Sequence, residues 1–178
     1  MAKRILVPID RSPVSESIIP VVAHLARSAG STVRLLLVYP IPGAVRAGDG
    51  RLVASADQEM TRLEAEGASY LAWIEALLDG LAVERVIRFG APAPEIVTEV
   101  SAWDADLIAM ASAPGPRGIR MGYGGVAFRV RRKATVPVLL YEVHGTDGRR
   151  PRPAAARRLS RFCRRLTALV GARMTPRA

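Results

Sequence analysis

The apolar residues of this chain fall into short runs that alternate with stretches of helical periodicity. Five apolar runs predict strands near residues 4–9, 33–38, 83–89, 106–111 and 136–142. Between them, apolar positions recur every three or four residues and predict four helices. These helices cover residues 12–29, residues 57–78, a segment that begins within 90–94 and extends past Val100, and residues 126–134. Strands that alternate with helices form right-handed crossovers and a parallel sheet. We therefore predict an open, Rossmann-like, parallel five-stranded sheet with helices on both faces.

Glycine and proline divide these segments. Pro20 falls in the first turns of the first helix, where a missing N–H costs least, and Gly30 and Gly80 are predicted to end two helices. Residues 40–56 contain two prolines and three glycines, and this composition predicts a loop of the kind that lies over a site.

The stretch from Asp104 to Ala127 combines an apolar strand, a loop rich in glycine and proline, and a helix that opens at Gly124-Gly125. Strand, glycine loop and helix is the arrangement that places backbone N–H groups against a phosphate. In a parallel sheet a ligand binds beyond the carboxyl ends of the strands. Asp10, Val38 and the loop 111–125 all follow strand ends, so we expect them to converge at one edge.

Charge separates a globular part from a tail. The chain has 178 residues and a net charge of +10. Residues 1–143 carry 16 basic against 15 acidic side chains, whereas residues 144–178 carry ten arginines and one acid. We predict an α/β domain over 1–143 and a basic tail over 144–178, in which 154–170 has the pattern of an amphipathic helix.

Composition excludes several classes of protein. A single cysteine, Cys163, cannot form an internal disulfide, and the two histidines, His24 and His144, do not form a metal-binding motif. The N-terminus lacks a signal-peptide pattern and no apolar run is long enough for a membrane span, so a cytoplasmic location is expected. No catalytic set stands out, which favours a protein that is not an enzyme.

Five segments, in order and at matching spacing, resemble the universal stress protein family over about residues 3–142. They are ILVPID-S at 5–12, GSTVRLLLV at 30–38, GAPAPEIV at 90–97, DADLIAMAS at 104–112 and GGVAFRVRRKATVPVLL at 124–140. The resemblance implies an adenine-nucleotide alpha-hydrolase-like sheet, ATP or AMP binding in some members, and dimers formed through the last strand.

The nucleotide motif of the family departs from its pattern here. That motif is a Gly, two residues, a second Gly, nine residues, and then Gly with Ser or Thr. Aligned on Met110 and Gly124, its first two glycines become Ala111 and Pro114, and its hydroxyl residue becomes Gly125. Pro114 lacks an N–H and Gly125 lacks a hydroxyl, so two phosphate partners are lost. The resemblance therefore implies a degenerate site.

The resemblance also implies which residues would contact a nucleotide. The adenine side would use Pro8, Ile9, Asp10, the backbone of Val38, and Met110. The phosphate side would use Gly124, Gly125, Val126 and Ala127, with Arg117 and Arg120 as further phosphate partners. Asp10 is equally suited to a turn at a strand end, and both arginines to solvated loop positions.

Three hypotheses follow. The first is a dimeric regulatory or binding module with a degenerate ATP or AMP site, its dimer formed through strand 136–143. The second is a true ATP- or AMP-binding protein in which Arg117 and Arg120 replace the lost groups. The third is an interaction protein whose tail, residues 149–173, binds an anionic membrane surface, nucleic acid or protein.

Overall fold

The structure, a computed structural model, describes residues 3–43, 45–46, 52–112 and 125–143. It contains seven strands and five helices in these ranges. In chain order they are β1 (Arg4–Ile9), α1 (Pro13–Glu16), α2 (Ile19–Ala29), β2 (Thr32–Tyr39), β3 (Val45–Arg46), β4 (Leu52–Ala54), α3 (Ala56–Ala76), β5 (Val83–Phe89), α4 (Pro92–Trp103), β6 (Leu107–Ser112), α5 (Gly125–Lys133) and β7 (Val138–Glu142).

Five of the strands form one parallel sheet in the order β5-β2-β1-β6-β7. From β1 the chain first moves outward through β2 to β5, and then crosses to the other side of β1 to form β6 and β7. The predicted open parallel five-stranded sheet is confirmed: β1 and β5 have the predicted ends, and the ends of the other three strands differ by at most two residues.

The helices cover both faces of the sheet, because successive side chains of a strand point to opposite faces. Ile5, Val7 and Ile9 of β1 pack with α2 and α3 in one buried cluster. Leu6 of β1 and Leu36 of β2 belong to a second cluster with α4 and α5. Burial on both faces explains why the strands have continuous apolar runs.

The first predicted helix is divided in two. Ser12 caps α1, its hydroxyl accepting the Ser15 N–H, and α1 ends at Glu16. A new helix, α2, begins at Ile19 with Pro20 in its first turn, where the missing N–H is tolerated, and ends at Gly30 in the left-handed conformation.

The predicted loop 40–56 is only partly correct. Within this range β3 and β4 pair antiparallel as a short two-stranded sheet. Ser55 and Gln58 form a capping box at the start of α3. The helix therefore begins at Ala56, which is the last residue of the predicted loop. The helix ends at Ala76, and Gly80, with φ of 75°, follows in the turn beyond it.

A buried carboxylate joins α4 to the β2–β5 edge of the sheet. Glu99 is 1% exposed. Its carboxylate accepts hydrogen bonds from Arg34 Nη1 at 2.7 Å and from Arg88 Nε at 2.9 Å. Arg34 also pairs with Glu84, and its guanidinium lies 4.3 Å from the centroid of the Trp103 ring. Each buried charge in this group is therefore balanced by a partner.

The chain divides into two units, residues 1–143 and 144–178. The helix predicted over 154–170 lies outside the described residues. Within the part of the chain that the structure describes, no helix combines the length and the apolarity needed to cross a membrane.

Candidate functional site

The strand order reverses between β1 and β6, which is the arrangement that opens a crevice at the carboxyl edge of parallel sheets. The β1–β6 ladder pairs only Ile5 with Leu107 and Leu6 with Ile108, in the first half of β1. Helix α1, which follows β1, packs against β6 across the reversal. Ligands of open α/β sheets bind at such switch points. The candidate site is therefore bounded by the carboxyl ends of β1 and β6.

Asp10 follows β1 at this edge and is exposed. Its carboxylate accepts the Ser12 N–H at 3.0 Å, and its own N–H donates to the Ser15 hydroxyl at 3.2 Å. Partial desolvation raises the pKa of Asp10, but hydrogen bonds with Ser12 and Ser15 outweigh that effect and leave the pKa below its ordinary value. Asp10 is thus a charged acceptor that already serves its own turn.

Four further predicted residues lie in the strands that end here, and their side chains are largely in the core. Pro8 and Ile9 are buried in β1, and Met110 is buried in β6. Val38, near the end of β2, packs against the α4–α5 cluster, as does Met110, whereas Ile9 packs on the α2–α3 face. Residues of this kind offer a ligand mainly their backbone groups.

The N-terminus of α5 carries the other predicted residues that the structure describes. Gly125 begins the helix and is exposed, Val126 is half-buried, and Ala127 is buried in the core. Among the described residues, a Cβ added at Gly125 would meet only Arg129 Nη2, at 3.8 Å, so none of them would obstruct a side chain there. Gly125 is therefore not required by close packing. Arg117, Arg120 and Gly124 lie outside the described residues.

Sequence reasoning missed Arg11, which directly follows Asp10. Arg11 has φ of 64°, a left-handed conformation that is uncommon for residues other than glycine. Its guanidinium forms an ion pair with Glu66 of α3 at 2.6 Å, donates to the Tyr39 hydroxyl at 3.2 Å, and lies 5.5 Å from the centroid of the Tyr70 ring. No local pattern indicated this contact, because its partners are distant in sequence.

Tyr70 connects the same region to α1. Its hydroxyl donates to Glu16 Oε1 at 3.0 Å. Burial, and then the nearby charge of Glu16, raise the pKa of Tyr70 far above its ordinary value, so the phenol stays protonated. Among the described residues, no group of three or more His, Cys, Asp or Glu side chains could hold a metal ion. The described chemistry of the edge is that of hydrogen bonding and charge.

Comparison with known proteins shows where this arrangement recurs. The model of the universal stress protein family matches residues 1–142. No match was found among curated proteins.

Solved structures give the same fold. The hypothetical protein MJ0577, from a structure-based assignment of biochemical function, is 25% identical with a TM-score of 0.64, covering 81% of this chain and 98% of its own. A universal stress protein in complex with cAMP is 16% identical, with a TM-score of 0.58 and coverage of 80% and 98%. One from Archaeoglobus fulgidus in complex with dAMP is 24% identical, with a TM-score of 0.51 and coverage of 77% and 95%.

The family model covers the whole described fold, and the solved structures reproduce its parallel sheet and helices. The resemblance drawn from five sequence segments is thereby confirmed, and this chain belongs to the universal stress protein family.

Proposed function

We propose that this protein is a non-enzymatic regulatory or binding module whose adenine-nucleotide site is degenerate. One observation carries the proposal: the chain has Pro114 and Gly125 where the family motif has a glycine N–H and a hydroxyl. The described end of that motif agrees with this reasoning, because Gly125 lies exposed at the start of α5 and has no side chain to offer a phosphate oxygen. The expected result is weak binding of ATP and AMP.

The residues expected to contact adenine favour weak binding of ATP or AMP rather than none. Asp10 keeps an exposed, ionised carboxylate at the switch point, although the Ser12 N–H already occupies one of its oxygens. A second candidate function is therefore a true ATP- or AMP-binding protein. It is favoured by the two similar structures that contain cAMP and dAMP, and it would depend on Arg117 and Arg120 as replacement phosphate partners.

Calorimetric titration of ATP and AMP tests the choice between them. A hydrogen bond to a charged group contributes about 1.5–3 kcal/mol, so two lost bonds weaken binding by roughly two to four powers of ten. We expect the variant Pro114→Gly, Gly125→Ser to bind more tightly than wild type by part or all of this factor. Ala102→Ser, which adds a hydroxyl at an exposed position near the end of α4, is the control.

Wild type that binds ATP at micromolar affinity, with no gain in the double variant, would refute degeneracy and favour the second candidate. A loss of that binding in the variant Arg117→Gln, Arg120→Gln would then identify the replacement groups. If neither wild type nor the double variant binds, the contacts expected for adenine are lost as well. The site is then degenerate for the base as well as for the phosphates.

We also propose that the protein is a homodimer formed through residues 136–143. Strand β7 is an edge of the sheet, and unpaired edges promote association. Val143 N–H donates to Ser112 O, and Pro137 O accepts from Ile108 N–H. Odd-numbered residues of β7 therefore face β6, and even-numbered ones direct their N–H groups to the open edge.

This alternation gives a specific test. Glu142→Pro removes an N–H that points away from β6 and none from the β6 ladder, whereas Glu142→Ala changes the side chain alone. We expect light scattering at tens of micromolar protein to show a dimer for wild type and Glu142→Ala and a monomer for Glu142→Pro. This protein concentration is roughly ten times the dissociation constant of a dimer of micromolar affinity. A monomeric wild type, or a dimeric Glu142→Pro, would contradict the proposed interface.

We further propose that the arginine-rich segment 149–173 binds an anionic partner. Its charge is the observation that supports this, because residues 144–178 hold ten arginines and one acid. Deletion of residues 149–178 should lower the salt concentration that elutes the protein from a heparin column. An unchanged elution would remove the tail from the proposal.

A further inference from the structure

The outward surface of α5 concentrates positive charge. Four of its nine residues are basic and exposed, and none of its residues is acidic. They are Arg129, Arg131, Arg132 and Lys133. We call them, together with Phe128, the α5 basic face. Residues 1–143 have a net charge of only +1, so this concentration is local.

Three side chains of the α5 basic face, Arg129, Arg132 and Lys133, differ from most arginines elsewhere in the described fold in how their charges are paired. Arg27 is the exception elsewhere, because it too donates to a backbone carbonyl oxygen, that of Asp79. Six arginines elsewhere each lie within salt-bridge distance of a carboxylate: Arg4, Arg11, Arg34, Arg62, Arg85 and Arg88. On α5, Arg129 donates instead to the carbonyl oxygen of Gly125 at 2.8 Å. Arg129, Arg132 and Lys133 have no carboxylate partner among the residues that the structure describes. Their charge is thus available to an external anion.

Interaction with the helix dipole explains only part of this pattern. Basic side chains in a last turn stabilise a helix, which accounts for Arg132 and Lys133. Arg129 lies a turn earlier. Phe128 gains nothing from the dipole, yet its ring is 43% exposed. An exposed aromatic ring next to the guanidinium group of Arg132, which has no carboxylate partner among the described residues, suits a partner that offers both negative charge and a flat apolar surface.

We infer that the α5 basic face binds single-stranded nucleic acid, with Phe128 as a stacking surface for a base and the basic side chains as contacts for the phosphate backbone. The guanidinium group of Arg132 lies 5.7 Å from the centroid of the Phe128 ring, so charge and ring are adjacent. Bases stack on exposed aromatic rings whatever their sequence, and guanidinium groups pair with phosphate oxygens.

A membrane surface fits this face less well. Helices that lie in a bilayer interface bury a continuous apolar stripe in lipid. On α5 the apolar residues Ala127 and Val130 are 6% and 0% exposed, because they pack in the core beneath the helix. Phe128 alone would remain for insertion.

The inference goes beyond the proposed nucleotide site and does not depend on it. The mononucleotide residues are at the N-terminus of α5, whereas the α5 basic face lies along its outward side and last turn. Failure of one proposal therefore leaves the other intact.

The experiment measures fluorescence anisotropy of a labelled oligouridylate of about 20 nucleotides, longer than one typical site, titrated with the full chain at several salt concentrations. The variant Arg129→Gln, Arg132→Gln, Lys133→Gln should reduce the slope of log K against log salt by about 2, since each single-strand phosphate contact contributes about 0.7. The matched control, Arg27→Gln, Arg62→Gln, Arg85→Gln, removes the same charge from exposed positions elsewhere and should leave the slope nearly unchanged.

A second variant, Phe128→Leu, tests stacking while keeping an apolar side chain. It should weaken binding of the oligouridylate roughly 5- to 150-fold, as for loss of one stacked base, and should not affect binding of duplex RNA. Circular dichroism and the thermal midpoint confirm that each variant is folded.

Equal slopes for the α5 variant and the control would overturn the inference, because the tail would then account for all binding. Preference for duplex over single strand would also overturn it, as would tight binding to vesicles of phosphatidylserine and phosphatidylcholine without binding to the oligouridylate. A reduced slope together with a single-strand loss in Phe128→Leu would support it.

Discussion

Replacing Glu99 with methionine tests the buried charge group beneath α4. The substitution keeps a side chain of similar size and removes both carboxylate oxygens. It leaves the guanidinium groups of Arg34 and Arg88 without their shared partner. Removing one member of a buried ion pair costs about 3–5 kcal/mol, because the remaining charge stays desolvated.

The exposures of the two arginines place the expected loss at the lower end of that range. The side chain of Arg88 is 39% exposed and can turn toward water, and Arg34, at 18%, keeps its contact with Glu84. We therefore expect Glu99→Met to lower the free energy of unfolding by about 3 kcal/mol. For a domain of this size that corresponds to a fall in the thermal midpoint of roughly 10 °C.

Urea unfolding followed by circular dichroism provides the measurement. With a urea m-value of about 2 kcal/mol/M, the midpoint should fall by roughly 1.5 M. Adding Arg88→Met to Glu99→Met should restore part of the loss, since one unpaired charge is removed. Glu75→Met, which breaks the exposed pair of Glu75 and Arg85, is the control and should cost under about 1 kcal/mol.

The reasoning would be refuted by a Glu99→Met loss no larger than that of Glu75→Met. It would equally be refuted if Arg88→Met made the Glu99→Met protein still less stable. In either case the carboxylate of Glu99 would not be the group that balances the two arginines.

Two other substitutions give clear expectations. Gly67→Ala should destabilise the domain by about 1 kcal/mol, because the added Cβ would lie 2.9 Å from Ile87 Cδ1. This overpacking outweighs the gain in helix propensity. Gly43→Ala, where the added Cβ meets no described atom within 4 Å, should leave stability unchanged in the same urea assay. Asp106 accepts the N–H groups of Arg4 and Lys3, which lower the pKa of its carboxyl group. Asp106→Asn should therefore be less stable than wild type at pH 7. The difference should shrink as pH falls below the ordinary aspartate pKa of 3.8 and through the lower pKa that Asp106 has in the folded protein; a difference that persisted in strong acid would contradict this origin.

Much of the fold could be predicted from the sequence because its signals are local. Apolar runs of strand length and helical periodicity located the sheet strands, and their alternation fixed a parallel sheet with helices on both faces. Gly30 ends a helix as predicted, through its left-handed geometry, and Ser12, the first residue of the helix predicted over 12–29, caps α1 with its side chain. Both signals depend on neighbouring residues alone.

The sequence predicted which strand ends lie at the carboxyl edge of the sheet, but not the contacts that the side chains make there. Asp10 is at the strand end that the pattern indicated, and the general rule for open parallel sheets explains why. Arg11 was missed, because its ion pair with Glu66 forms only when α3 lies against the end of β1.

The sequence by itself determined which segments form strands and helices, and which residues follow the strands at the carboxyl edge of the sheet. The tertiary structure alone decided which charged side chains pair between different strands and helices. Glu99 and Arg34 are 65 residues apart, and they meet because the order of strands places β2 beside β5 under α4. Pairing between distant residues depends on strand order and register, which periodicity does not encode, and the same geometry leaves the charges of α5 facing outward.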